Sequence, residues 1–161
     1  MSRFDAMNGS VTARIEAPTS VVWDIVSDVT RIGELSPETF DAEWTDGATG
    51  PAVGARFRGH VKRNGRGPTY WTHCRVTVCE PERAFAFGVE TGGKVLNTWR
   101  YDLAALDGGA ATEITESFTL TPTVAMRVYW TLFGWTRGRT NERGMTQTLD
   151  RVKTIAERTA T

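Results

Sequence analysis

Near the start of the chain Val11, Ala13, Ile15 and Ala17 alternate with Thr12, Arg14 and Glu16, the two-residue period of a half-buried strand. Pro18 stops that strand and suits the first turn of a helix. Val21, Val22, Ile25, Val26 and Val29 then recur at helical spacing, with Ser20, Asp24, Ser27 and Asp28 on the other side. Gly33 and the Ser36-Pro37 pair end this helical region. From Phe40 to Leu120 the period is two again and predicts strands over 40–46, 54–63, 70–80, 83–90, 95–106 and 111–121. Turn residues separate them: Gly47 to Gly54, Asn64-Gly65, Pro81, Gly92-Gly93 and Asp107-Gly108-Gly109. Connections this short predict an antiparallel meander, because parallel strands need crossovers of about a dozen residues or more. After Pro122 the helical period returns, and Met145, Leu149, Val152 and Ile155 or Ala156 form an apolar stripe. Gly134, Gly138 and Gly144 are poor helix residues, so a break or hinge is expected near 134–138, between a short helix and a long C-terminal one. The order β-α-β₆-α predicts an α+β fold with one curved sheet around that long helix.

Turn length then decides which side chains meet. With Gly108-Gly109 as a two-residue turn, Leu103 pairs with Ile114, Tyr101 with Glu116 and Trp99 with Phe118, all on one face. The other face of those strands reads Thr98, Arg100, Asp102, Glu113, Thr115, Ser117 and Thr119, a solvent face. Glu116 therefore sits on the apolar, inward side. A three-residue loop around Gly93 places Phe87 beside Trp99 and Phe85 beside Tyr101. Ala55, Phe57, Gly59 and Val61 add an inward row, with Arg56, Arg58, His60 and Lys62 outward. The interior is aromatic with Asn97, Tyr101 and Glu116 among the rings, which is the composition of a small-molecule pocket.

Composition narrows the classes. The chain has 161 residues, 40% hydrophobic, with 19 Lys+Arg against 19 Asp+Glu. That length suits a single domain over residues 1–161, and the charge balance argues against a nucleic-acid partner. Cys74 and Cys79 are too few for a disulfide scaffold, and strict alternation puts them on opposite faces of one strand. Reduced thiols and a cytoplasmic location are expected. Residues 1–10 hold no apolar core of a signal peptide. The most apolar window, 124–135, is too short to span a bilayer and contains Arg127.

The run Ile15-Glu16-Ala17-Pro18, then Val22-Trp23-Asp24, Asp28 and Ser36-Pro37, resembles the opening of the START-like (SRPBCC) superfamily, in particular its bacterial polyketide cyclase/dehydrase and lipid transport branch. Gly54-Ala55-Arg56-Phe57-Arg58-Gly59, Cys74-Arg75-Val76-Thr77, Pro81, Phe85-Ala86-Phe87, Trp99-Arg100-Tyr101-Asp102-Leu103 and Thr115-Glu116-Ser117-Phe118 are similar to its central strands. The resemblance covers about Val11 to Glu157. It implies a helix-grip (START/birch-pollen-allergen-like) fold, a seven-stranded antiparallel sheet gripping a long C-terminal helix around a hydrophobic cavity. It also implies binding of lipids, isoprenoids, sterols or polyketides, with some members acting as aromatases or cyclases. No catalytic residue set carries over from it.

The candidate ligand-binding residues are Phe57, Phe85, Phe87, Asn97, Trp99, Tyr101, Glu116, Phe118 and Met145. Glu116 with Tyr101 is the candidate catalytic pair: burial would raise the carboxyl pKa, and the phenol could share its proton or hold a carbonyl. A ligand-orienting or structural role is favoured over catalysis. A hairpin centred on Gly65-Arg66 would set His60 opposite His73 on the outer face, but two histidines make an incomplete metal site. No metal and no cofactor is expected. Residues 122–161 hold seven Lys+Arg and three Asp+Glu, so this part is +4 and the rest −4. Within it Tyr129, Trp130, Phe133 and Trp135 are candidates for a cavity lid, a homodimer contact or a transient membrane contact. The expected partner is a hydrophobic small molecule carried or sequestered, with a cyclase/dehydratase enzyme and an interaction module acting through 124–135 as the alternatives.

Overall fold

The computed structural model describes residues 7–161; the side chains at positions 64, 126, 130 and 133–137 lie outside that description. Seven strands form one antiparallel sheet in the order β1-β7-β6-β5-β4-β3-β2. They are β1 (Asn8–Ile15), β2 (Thr39–Thr45), β3 (Arg56–Val61), β4 (Tyr70–Glu80), β5 (Ala84–Thr91), β6 (Lys94–Leu106) and β7 (Ala111–Leu120). The helices are α1 (Thr19–Val26), the single turn α2 (Ile32–Leu35) and the long α3 (Val124–Thr159). This is the helix-grip architecture: a curved antiparallel sheet with a long C-terminal helix along its inner side.

The β6–β7 hairpin has the predicted register, with Leu103 opposite Ile114, Tyr101 opposite Glu116 and Trp99 opposite Phe118. Across β5, Phe87 lies opposite Trp99 and Phe85 opposite Tyr101, again as expected. That offset arises from two devices. Gly92 and Gly93, both at positive φ, make a two-residue turn between Thr91 and Lys94. A bulge between Val89 and Glu90 then supplies the extra residue.

A second bulge, between Val76 and Val78, overturns the expected placement of the cysteines. The inserted residue reverses the alternation, so Cys79 lies opposite Phe85 and packs on the same core cluster as Cys74. The two are free cysteines on one strand, too far apart along it to bridge.

The first helical region is also divided more finely than its apolar spacing suggests. At Ser27 the hydroxyl donates to the Trp23 carbonyl, 2.8 Å away, and closes α1. Asp28 takes an extended conformation and its carboxylate accepts from the Thr30 N–H at 3.0 Å, starting a separate turn over Val29–Arg31. Gly33 falls inside α2 rather than ending a helix.

The inner side of the sheet meets α3 through Leu149, Val152 and Ala156, each at most 1% exposed, in one cluster with Ile15, Val22, Ile25, Phe57, Phe85 and Ile114. Polar ties fix the helix against the chain start and α2. Lys153 Nζ donates to the Arg14 carbonyl at 2.9 Å, and the Glu16 N–H donates to Glu157 Oε1 at 2.9 Å. Arg151 Nη1 donates to the Leu35 and Ser36 carbonyls at 3.2 and 3.1 Å. The backbone of α3 is helical over Val124–Thr159. Burial on α3 is concentrated from Met145 onward; the described residues from Val124 to Leu132 are exposed.

Gly33 shows how closely α2 and β2 are fitted. A Cβ at this position would run into the Phe40 carbonyl, a backbone group that cannot swing aside. Gly33→Ala is expected to destabilise by about 2 kcal/mol, lowering Tm by roughly 4–8 °C in a thermal melt. An unchanged melt would show that α2 and β2 separate at no cost.

Candidate functional site

Between the concave side of the sheet, the α2–β2 connection and α3 lies a cavity of about 1130 Å³. Its sheet walls carry Phe57 from β3, Cys74 from β4, Phe87 and Val89 from β5, Asn97, Trp99 and Tyr101 from β6, and Glu116 from β7. Ile32, Ser36 and Pro37 close one side, and Gly144, Met145 and Thr148 of α3 another. The rings are locked by mutual contact: Phe57 meets Phe87 edge-on at 5.0 Å and Trp44 at 5.8 Å.

The polar feature of this interior is the cross-strand pair Tyr101–Glu116. Because the two residues are directly opposite and both inward, the Tyr101 hydroxyl donates to Glu116 Oε1 at 3.2 Å. Glu116 is 3% exposed and its Oε2 has no hydrogen-bond partner. Burial pushes the Glu116 carboxyl up to about 8, against a small downward pull from the Tyr101 hydrogen bond. Burial, and then the neighbouring Glu116, hold the Tyr101 phenol well above its ordinary value. Both groups therefore keep their protons at neutral pH. Since Oε1 accepts from Tyr101, the carboxyl proton belongs on Oε2, a buried O–H with no acceptor among the described residues. Such a group normally finds a partner, and here the open space beside it is the cavity.

Of the nine sequence-predicted binding residues, Phe57, Phe87, Asn97, Trp99, Tyr101, Glu116 and Met145 line the cavity. Phe85 and Phe118 do not. Phe85 is fully buried in the core edge-on to Trp23, and Phe118 packs with Met7 and Met145 over Gly9. Alternation puts a residue on the inner face, but α1 covers that face at Phe85 and β1 and the start of the chain cover it at Phe118. Missed by the sequence reading were the wall from Ser36-Pro37 and the buried Thr148, a polar residue inside the apolar stripe of α3. Its spacing three residues after Met145 was the available sign.

Outside the cavity, His60 and His73 do not face each other. His60 lies opposite Trp71 and stacks on its ring at 4.3 Å, while His73 lies opposite Arg58. The β3–β4 ladder is centred on Gly65-Arg66, and that centre pairs His60 with Trp71 and Arg58 with His73. The expected pairing of His60 with His73 was two positions off the register this centre sets, and the chain between the strands makes a helical turn over Arg63–Gly65. Among the described residues no cluster of His, Cys, Asp and Glu could hold a metal ion. Burial pushes the Cys74 thiol up to about 12, so it stays protonated and unreactive at neutral pH. Of the lid or interface candidates, Tyr129 is 44% exposed, and the side chains of Trp130, Phe133 and Trp135 lie outside the described residues.

The family model for polyketide cyclase/dehydrase and lipid transport proteins matches residues 7–157. The chain belongs to this family. A Polyketide_cyc-like protein from Corynebacterium glutamicum is 33% identical, with 94% of this chain and 91% of that one covered and a TM-score of 0.63. A protein from Deinococcus radiodurans shares the fold at 16% identity, over 94% and 98% of the two chains, with a TM-score of 0.65. The di-domain ARO/CYC protein StfQ from the steffimycin biosynthetic pathway matches at 17% identity and a TM-score of 0.64, over 94% of this chain and 45% of that one. Among curated protein sequences none matches the chain.

The proton on Glu116 has a consequence for stability. The folded chain holds it up to about pH 8, whereas an unfolded chain releases it near the ordinary 4.5. Between those values the folded state binds more protons than the unfolded one, so stability falls as pH rises through the window. Urea unfolding at stepped pH is expected to show this decline in wild type and its loss in Glu116→Gln. Parallel pH profiles would mean that Glu116 ionises normally in the fold.

Proposed function

We propose that the chain binds a hydrophobic small molecule, of lipid, isoprenoid or polyketide-like type, in the cavity and holds it for transport or sequestration. The observation that carries this reading is the aromatic-walled cavity of about 1130 Å³ with the unsatisfied buried Glu116 Oε2 at its wall. An aromatic inner wall with a polar rim suits a ligand whose body is apolar and whose orientation is set by hydrogen bonds. In this reading Phe57, Phe87 and Trp99 contact the ligand body, Asn97 and Met145 border it, and Glu116 Oε2–H donates to an oxygen of the ligand. Tyr101 keeps the carboxyl proton directed away from Oε1. Family membership supports a ligand cavity and leaves transport and catalysis open.

A second reading is favoured by the same proton. A carboxyl that titrates near neutral pH is matched to general acid–base work. In a cyclase or dehydratase, Glu116 would pass its proton to a ketone oxygen or a departing hydroxyl, and Tyr101 would hold the carboxylate left behind. The cavity would fold the chain so that the reacting carbons meet.

Native mass spectrometry of freshly purified protein, followed by organic extraction, is the direct test. A stoichiometric adduct of defined mass is expected. A clean apo mass with no uptake from a mixed lipid and polyketide panel would overturn the binding reading. Glu116→Gln then separates the two readings, since the amide keeps a donor but cannot cycle a proton. A carrier should retain its ligand within about threefold, the loss of one hydrogen-bond partner's charge assistance being avoided. An enzyme should bind and lose turnover by about 10²-fold or more.

A further inference from the structure

The apolar side chains left in water are concentrated on one part of the surface. Val124, Val128 and Leu132 are 81%, 56% and 62% exposed and lie four residues apart, on one edge of α3. Tyr129 beside them is 44% exposed. Both ends of this stretch are tied to the cavity wall. The Thr121 N–H donates to the carbonyl of Leu96, a cavity-lining residue that is itself 37% exposed, and Thr140 lines the same cavity. Tyr70, 41% exposed, also stands at this opening.

Charge is concentrated there too. The loop between β3 and β4 carries Lys62, Arg63 and Arg66 with no acidic residue from 62 to 69. Arg63 lines the cavity together with Arg143 of α3, so loop and helix approach the same opening. Elsewhere on the sheet the arginines are neutralised: Arg14 by Glu16 and Asp107, Arg58 by Glu43, Arg75 by Glu90 and Arg100 by Asp102. Among the described residues Lys62, Arg63, Arg66 and Arg143 make no ion pair. The α3 stretch 124–143 adds four arginines against Glu142 alone. In a chain with zero net charge, the 62–69 loop and the 124–143 stretch together carry seven cationic residues against one acidic residue.

We propose that this face, formed by the 62–69 loop and the 124–132 edge of α3 around the cavity opening, docks on an anionic lipid surface. Aliphatic side chains in the acyl boundary and arginines among anionic headgroups are the two components of interfacial helix binding. No described helix is long and apolar enough to cross a membrane, so the contact is peripheral. A second copy is a poorer occupant. Two-fold pairing of this face would bring its seven cationic residues toward their own counterparts, more than Glu38, Glu90 and Glu142 nearby could receive. The inference goes beyond the proposed cavity ligand: it concerns the outer surface and stands or falls separately.

The test is co-sedimentation of the full chain with vesicles of phosphatidylcholine containing about one quarter phosphatidylglycerol, beside vesicles of phosphatidylcholine alone. Binding to the anionic vesicles is expected, weakening roughly fivefold for each of Lys62→Ser, Arg63→Ser and Arg143→Ser and lost in about 0.5 M salt. The double change Val128→Ser with Leu132→Ser should weaken it by about tenfold or more. All five positions are exposed, and far-UV circular dichroism with native mass spectra for cavity adducts checks that fold and cavity are retained. Absence of binding to anionic vesicles, or equal binding to both kinds, would overturn the proposal. So would sedimentation velocity showing a dimer that the Val128/Leu132 variant dissolves, since self-association would then be what covers this edge.

Discussion

The register of β6 against β7 is the constraint on which the interior depends. Side chains alternate faces, so a slip of one residue would exchange every inward group for its outward neighbour. Tyr101 and Glu116 would move to solvent, and Arg100, Asp102, Thr115 and Ser117 would move into the core. The actual register does the opposite on both faces at once. It brings the phenol to the carboxyl inside, and it leaves Arg100, Asp102, Thr115 and Ser117 on the outer face. There Arg100 and Asp102 form an ion pair along β6 and Thr115 meets Thr12 of β1, the two hydroxyls 2.8 Å apart. The short Asp107–Gly109 turn holds it, with Gly108 and Gly109 at positive φ. A buried carboxyl would destabilise the fold as an anion, and the protein accommodates it by leaving it protonated and bonded to Tyr101.

How much of this is readable from residues follows from which features have a local cause. Alternation and turn length are local, and they were sufficient for the strand ladder and for the meeting of Glu116 with Tyr101. Bulges are not marked by residue type here. Nothing about Thr77 announces that the ladder shifts beside it, and for that reason the side on which Cys79 lies was misread. The β3–β4 loop was legible, since strands expected to end at 63 and resume at 70 are found to end at Val61 and resume at Tyr70, and its centre at Gly65-Arg66 sets His60 opposite Trp71. Whether an inward ring lines a space or is covered depends on what packs over it. Phe85 and Phe87 are equivalent in pattern, and only Trp23 of α1 separates them.

Neutrality and charge are distributed differently inside and outside. Inside, the Glu116 carboxyl is held as the acid and both free thiols are held protonated, while charged side chains such as Arg63, Arg143, Glu38 and Glu90 border the same cavity. Outside, opposite charges are matched across neighbouring strands. Each such exposed pair contributes little to stability.

The irregularities of the sheet are also on one side. Register shifts interrupt β2 against β3, β4 against β5 and the turn end of β5 against β6. The ladders of β1 with β7 and of β6 with β7 run without interruption. The sheet is accordingly a vice with one fixed jaw and one compliant jaw. The fixed jaw carries Tyr101 and Glu116 and is backed by the end of α3. The compliant jaw carries Phe57, Cys74 and Val89; β3 and β4 pair regularly there, and the register shifts on either side of them, at Thr39/Asp41 and Val76/Val78, are where the backbone can change its twist. Occupants of different girth would be taken up by movement of that jaw, while the hydrogen-bonding end keeps its place.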